Sequence, residues 1–296
     1  MTTTTFKYIN TDSYTGKPWG KVDGPGKSYT QGDHQYTVHN IRDKQSEFNT
    51  DNSGFAVYNF PAREKVYTDD NAVREGYYEE VKNLLRTELP GVKKVEIFDH
   101  TIRRRVKDAP RQPVQQVHVD QTPGAAAVRV RRHLPEAEHE ELLKGRYQII
   151  NVWRPIENPA SDFPLAVIDW RSTVPSDFIP VDLMYPKRDS MDLDDDPRGK
   201  EQLPDPESYQ SLQGYRVGGE TLAVAPNPNH KFYYMKDMTP DEVMLLKCYD
   251  SRGEGEPDGV TGLALRTPHT AFIDPNTPKD APGRQSIEVR CLVFYE

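Results

Sequence analysis

His118 and Asp120 stand two apart in "PVQQVHVDQT" (113–122), a run rich in β-branched residues that ends at Pro123-Gly124. In a strand, positions two apart share one face. An imidazole and a carboxylate on one face can hold a single metal ion, and a facial triad on Fe(II) needs one more histidine. The spacing alone is weak evidence. With 8 histidines and 46 acidic residues in 296 positions, chance supplies about one H-x-[DE] pair. There are two, the second being His139 with Glu141. That second pair lies in a helical pattern, "EAEHEELLKGR" (136–146), where positions two apart point to nearly opposite sides. It cannot chelate readily. On the strand, Val114, Gln116, His118 and Asp120 form one row, and Gln115, Val117 and Val119 form the other.

His269, which follows Pro268 at the start of an apolar segment, is the candidate third ligand. Fifteen residues later come Arg284 and Ser286, again two apart on one strand face, with Arg290 on that face too. A 2-oxoglutarate site requires this combination. The keto-acid end chelates the iron, and the far carboxylate needs a fixed bidentate cation with a hydroxyl donor beside it. Substrate contacts are expected from Tyr147, Asn151, Arg154 and Arg290. Tyr147, Asn151 and Trp153 share one strand face, and Gln148, Ile150, Val152 and Arg154 share the other. Equally, Trp153 can be core, Arg154 can be a structural ion-pair partner, and Arg290 can pair with Glu288.

The elements that must position these groups are mostly strands. Residues 1 to 67 read as irregular and extended, with turn signals in "GKPWGKVDGPGKS". "TDDNAVREGYYEEVKNLLRTELPG" (68–91) predicts a helix capped by Asp69, Asp70 or Asn71, with an apolar stripe of Val73, Tyr77, Val81, Leu84 and Leu85. Strands are expected over 92–106, 113–122, 147–156 and 163–172, and a short exposed helix over 136–146. The segment 241–251 is ambiguous, because Thr239 and Glu242 mimic a capping box, but its short apolar run favours a strand. Residues 268–274 and 284–296 are expected to form a closing hairpin. The stretch 186–230, polar and rich in Pro and Asp, reads as a loop-rich insertion. The sum is one β-rich domain over 1–296 with peripheral helices.

Other motifs fall away. "DGPGKS" (23–28) ends like a phosphate-binding loop, but Lys21 stands where its first Gly belongs and Pro25 removes a backbone donor. "MDLDDDP" (191–197) lacks the Gly and distal Glu of a calcium loop. There is no GxSxG elbow. The basic clusters "TIRRRVK" (101–107) and "VRVRRH" (128–133) lack interleaved aromatics, and read as solvated strand faces or carboxylate partners. A net charge of −8 argues against a general nucleic-acid binder. No apolar run approaches a membrane span, and the start shows no targeting pattern. Two cysteines give no disulfide framework, which suggests the cytoplasm. A small-molecule substrate is expected, with neither nucleic acid nor membrane as partner, and a homodimer is left open.

Taken together, "VHNIRDKQSEFNTDNSGF", "HVDQTPGAAAVRVRRHL", "GRYQIINVWRPI", "LLKCYDS", "TPHTAFIDP" and "RQSIEVRCLVFY" resemble the double-stranded β-helix Fe(II)/2-oxoglutarate oxygenases. More narrowly, the chain resembles the fungal hydroxylase/desaturase family that includes gibberellin desaturase, which is similar to the cephamycin methoxylation component. The resemblance covers most of the chain and is poorest over 186–230. It implies a jelly-roll core, and Fe(II), 2-oxoglutarate and O2 as cosubstrates. It implies His118, Asp120 and His269 as iron ligands, and Arg284 and Ser286 as the 2-oxoglutarate clamp. The implied reaction oxidises a C–H bond of a small secondary metabolite or amino-acid-derived substrate, by hydroxylation, desaturation or ring closure. The alternatives are a catalytically silent partner of another oxygenase, which a degraded triad would favour, and a cupin-like metal isomerase or hydrolase, which needs no Arg-x-Ser clamp.

Overall fold

The computed structural model describes residues 1–105, 113–187 and 209–296. In chain order the strands are β1 (Thr2–Ile9), β2 (Trp19–Lys21), β3 (Gln31–Asn40), β4 (Phe55–Asn59), β5 (Val92–Arg104), β6 (His118–Val119), β7 (Tyr147–Pro155), β8 (Leu165–Ile168), β9 (Phe178–Pro186), β10 (Tyr215–Val224), β11 (Phe232–Tyr234), β12 (Glu242–Asp250), β13 (His269–Ala271) and β14 (Gln285–Tyr295). Among the described residues four α-helices join them: α1 (Asp70–Ala72), α2 (Tyr78–Glu88), α3 (Pro123–His133) and α4 (Glu136–Lys144). The strands form a nine-stranded sheet, β1-β3-β11-β8-β13-β6-β10-β9-β2, and a five-stranded sheet, β4-β12-β7-β14-β5. The two sheets face one another with the helices outside, as a double-stranded β-helix requires.

Burial explains the layering. Every residue of β7, "YQIINVWRP", is buried, as a strand covered on both faces must be. Its outward row includes Ile150 and Val152. These pack with β14 residues Ile287 and Val289 under an apolar stripe of Tyr77, just before α2, and Val81, Leu84 and Leu85 within it. Asp69 caps this helical segment by accepting from Asn71 N at 2.9 Å. A single π turn, Val73–Tyr77, joins α1 to α2. On the inward row, Trp153 joins β8 residues Leu165 and Val167 and β12 residues Met244 and Leu246 in the core between the sheets.

Four expectations need correction. The first 67 residues are not irregular: β1 and β3 pair antiparallel from Thr2↔Val38 to Ile9↔Gln31 and form one end of the large sheet. "VRVRRH" is no strand face but the second half of α3, whose Thr122 cap accepts from Ala125 N at 3.1 Å while Pro123 opens the first turn. β13 and β14 do not form a hairpin; β13 pairs with β6 and β8 in the large sheet, and β14 with β5 and β7 in the small one. Of the expected insertion, 188–208 lies outside the described residues, as do 106 and 107 of "TIRRRVK", whereas 215–224 is strand β10, paired with β9 and β6. The segment 241–251 is a strand as expected, and Glu242 still accepts from Thr239 N at 2.8 Å in its lead-in turn.

One buried ionic knot ties the end of the small sheet. Lys247, fully buried, reaches Asp250 at 2.7 Å and the Ala264 carbonyl at 3.0 Å, and Arg146 reaches Asp250 at 2.7 Å. Burial opposes ionisation of Asp250, but Lys247 and Arg146 outweigh it and hold the carboxyl down at about 2. A depressed folded-state value stabilises above the unfolded value of about 4, and that stabilisation, on the order of 2–3 kcal/mol, is lost as pH falls towards about 2. Asp250→Asn leaves the buried Lys247 and the partly buried Arg146 to the exposed Asp51 and is expected to destabilise by about 2–3 kcal/mol, read in urea melts at neutral pH. The difference from wild type should shrink as the melts are repeated below about pH 4.

Candidate metal centre

The centre grows from a strand of two residues. β6 lies between β13 and β10, with His118 opposite His269 on one side and Ala223 on the other. The antiparallel register brings the two imidazoles together, with ring centroids 4.5 Å apart. Asp120 follows β6 by one residue, in the turn that leads to α3. Its Oδ1 lies 3.4 Å from His118 Nε2. One ligand atom from each of His118, Asp120 and His269 falls within 4.8 Å of the others.

Both histidines are oriented by backbone carbonyls. His118 Nδ1 lies 2.7 Å from the Gln116 carbonyl and His269 Nδ1 lies 3.1 Å from the Thr267 carbonyl. A carbonyl only accepts, so Nδ1 carries the proton and Nε2 is directed at the cluster. Burial pulls the His269 imidazole below its ordinary value, with the nearby His118 adding to the effect. Burial also pulls on His118, but its hydrogen bond to Asp120 prevails and raises it. Burial pushes the Asp120 carboxyl up, yet His118, Arg290 and His269 hold it well below the usual carboxylate range. Two imidazoles and one ionised carboxylate, each fixed by a second partner, fit a divalent first-row metal such as Fe(II).

An inner pocket of about 50 Å³ opens beside the cluster, walled by Val114, Trp153, Leu165 and Ala271 and closed by Arg284. Arg284 is 3 % exposed. Its Nη1 donates to the Phe163 carbonyl at 2.8 Å and its guanidinium lies 5.6 Å from the Trp153 ring, but its Nε is buried without a hydrogen-bond partner. Burial is the main cause that pushes this guanidinium down to about 9. A desolvated cation with an unused donor is the chemistry of a carboxylate receptor. On the other side of His118, Asp120 and Arg290 lies a cavity of about 810 Å³, walled by Tyr29, Val114, Val128, Leu183, Tyr185 and Val217 among others.

Comparison with known proteins agrees with this geometry. A family profile described as an oxidoreductase/YMDC permease-like domain matches residues 6–294. Hydroxylase/desaturase efuI of Hormonema carpetanum is 34% identical over 275 residues, 88% of this chain and 83% of that protein. Fe(II)/2-oxoglutarate-dependent dioxygenase nvfI of Aspergillus novofumigatus is 32% identical over 269 residues, again 88% and 83% of the two chains. The solved structure of the iron and alpha-ketoglutarate-dependent endoperoxidase NvfI superposes with a TM-score of 0.78 at 27% identity, covering 99% of this chain and 97% of that one. The chain belongs to the fungal Fe(II)/2-oxoglutarate-dependent hydroxylase/desaturase family. This oxygenase family takes Fe(II), 2-oxoglutarate and O2. No helix among the described residues is long and apolar enough to cross a membrane.

Of the residues singled out in the sequence, the oxygenase brings His118, Asp120, His269, Arg284 and Arg290 around one pocket. Ser286 is buried on β14 two residues from Arg284. Asn151 touches Asp120 directly, its Nδ2 donating to Oδ2 at 2.7 Å. Tyr147 and Arg154 are not in the pocket. Tyr147 packs in the cluster that holds α3 residues Ala126 and Val130. Arg154 lies on the outward face of β7, 5.3 Å from the Tyr77 ring, with the Pro240 carbonyl as its acceptor at 3.2 Å. Arg290 does not wait for an anion; Glu288, Asp99 and Asp120 already engage it. Sequence reasoning missed the outer wall. Leu183, Tyr185 and Val217 lie on β9 and β10, at the edge of or within the stretch read as insertion, and Tyr29 lies in the segment read as irregular.

If the cluster holds a metal, Co(II) or Mn(II) at about 100 times its dissociation constant stabilises the fold by about 2.7 kcal/mol. Thermal melts of the oxygenase should show that rise, and His269→Ala should abolish it.

Proposed function

We propose that His118, Asp120 and His269 hold Fe(II), that Arg284 with Ser286 binds the far carboxylate of 2-oxoglutarate, and that the outer cavity seats a small secondary metabolite for oxidation at a C–H bond. The observation that carries this is the buried, under-bonded Arg284 guanidinium in the same pocket as a His-Asp-His cluster. A cupin-like isomerase or hydrolase has no use for such a cation. Iron with 2-oxoglutarate and O2 supplies the oxidant, releasing succinate and CO2.

The chain's own residues supply the rest. Arg284 fixes one end of the keto acid, which sets where its other end reaches. Val114, Trp153, Leu165 and Ala271 form the apolar part of an inner pocket otherwise lined by charged and polar groups. Apolar walls of the outer cavity, Val128, Leu183 and Val217 among them, suit a largely apolar substrate body. Hydroxylation, desaturation and ring closure differ in where those walls hold the reacting carbon. We treat 1–296 as one oxygenase domain, because both sheets contribute to the pocket. Two free, buried cysteines accord with a reducing compartment such as the cytoplasm.

The test is anaerobic titration of the Fe(II)-loaded protein with 2-oxoglutarate, following the weak visible charge-transfer band of a keto-acid chelate. Wild type should show the band. His118→Ala should lose it, and Arg284→Ala should weaken 2-oxoglutarate binding by about 30-fold or more. No band in protein shown to hold iron would overturn the assignment.

A further inference from the structure

Asn151 is an unusual residue for its position. It sits at the centre of a strand buried at every residue, and it is itself fully buried. Its neighbours in sequence are Ile149, Ile150, Val152 and Trp153. A carboxylate oxygen accepts and cannot donate, so the atom facing Asp120 Oδ2 at 2.7 Å must be the amide nitrogen. That leaves Asn151 Oδ1 buried with no partner. A strand built for packing alone would carry an apolar side chain here.

The same Asp120 oxygen takes a second donor. Arg290 Nε approaches Oδ2 at 3.3 Å. Arg290 pairs with Asn151 across the β7–β14 ladder, so the two donors reach Asp120 from adjacent strands. The guanidinium is held in turn by Asp99 at 3.0 Å, Thr101 Oγ1 at 3.2 Å and Glu288 at 2.8 Å. It has little freedom to swing away. Asp120 Oδ1, in contrast, faces His118 Nε2. The two carboxylate oxygens therefore have different tasks: one is tied to the small sheet, the other is turned towards the ligand cluster on the large sheet.

Building on the iron site proposed above, we infer that Asn151 and Arg290 are positioning residues that lock Asp120 as a one-oxygen ligand. They hold Oδ2 and present only Oδ1 to the metal. A carboxylate free to rotate can bind through both oxygens and take one further coordination position. The triad must leave its remaining positions to the cosubstrates. Asn151 thus serves to keep the site open, and Arg290 adds a second donor that keeps Oδ2 turned away.

Infrared difference spectra of metal-loaded minus metal-free protein read this directly. The gap between the two carboxylate stretching bands is wide for one-oxygen binding and narrow for two-oxygen binding. With Mn(II) as the probe, wild type should give a wide gap in bands that vanish in Asp120→Ala. Asn151→Val removes the donor with little change of volume and should narrow the gap. Metal affinity should also fall, by about 10- to 100-fold. Should Asn151→Val fail to fold, Asn151→Ala makes the same test without added bulk. A narrow gap in wild type, or a wide gap in the Asn151 variant, would overturn the inference. Metal-induced bands that persist in Asp120→Ala would instead overturn the iron site on which it rests.

Discussion

The register between β6 and β13 is the constraint on which the site depends. Both strands are short, and β6 has only two residues. Their pairing sets His118 opposite His269, and a shift of one residue on either strand would turn one imidazole to the far side of the sheet. So short a strand cannot fix its own register. β10 pairs with β6 along its other edge, and Thr221 Oγ1 donates to the Val119 carbonyl at 2.7 Å. Upstream, Val117 N donates to the Lys7 carbonyl at 2.9 Å, which ties the approach to β6 to the first strand of the chain. Downstream, the Thr122 cap starts α3 and fixes the turn that carries Asp120. The three candidate ligands are held by neighbours rather than by strand propensity.

The second half of the site comes from the opposite sheet. Arg284, Asn151 and Arg290 belong to or adjoin β7 and β14; Asn151 and Arg290 reach across to Asp120, just past β6, and Arg284 lines the same pocket as His118 and His269. The core between the sheets, with Trp153 against Leu165 and Val167, sets the distance over which they reach. Packing and site geometry are therefore one problem: the spacing that buries Trp153 is the spacing that lets Asn151 touch Asp120.

The metal-site candidates were legible because their chemistry is rare and their spacing has one simple meaning on a strand. His118, Asp120, His269 and Arg284 are found together around one pocket. The α2 stripe was legible for the same reason, a helical period of apolar residues between a cap and a Pro-Gly stop. What could not be read was partnership. "VRVRRH" alternates like a strand, and only the Thr-Pro at its approach, a helix-start signal, argues otherwise. β10 carries Gly218 and Gly219 at a bulge and β9 carries Pro180, features that speak against a strand locally and are tolerated because neighbouring strands supply the pairing. β13 and β14 look like a hairpin because they are consecutive in the chain, yet the segment between them crosses from one sheet to the other. Asn151 and Arg290 were visible as polar residues on strand faces, but their engagement with Asp120 is a property of the two sheets facing each other.

The outer cavity shares His118 and Asp120 with the ligand cluster, but much of its far wall comes from other stretches of chain. The cavity walls include Tyr29, Leu183, Tyr185, Val217 and Gly218, none of which touches His118, Asp120 or His269 through a side-chain hydrogen bond among the described residues. At Gly218 a Cβ would fall 2.5 Å from the Tyr185 ring, so its lack of a side chain is what lets that ring pack against the backbone there. Changes at Leu183, Tyr185 and Val217, away from the Leu222–Ala223 stretch of β10 that pairs with β6, can therefore reshape what the cavity admits with little effect on the His118↔His269 register. The shape of the far wall is thus set by side chains that take no part in holding His118, Asp120 or His269.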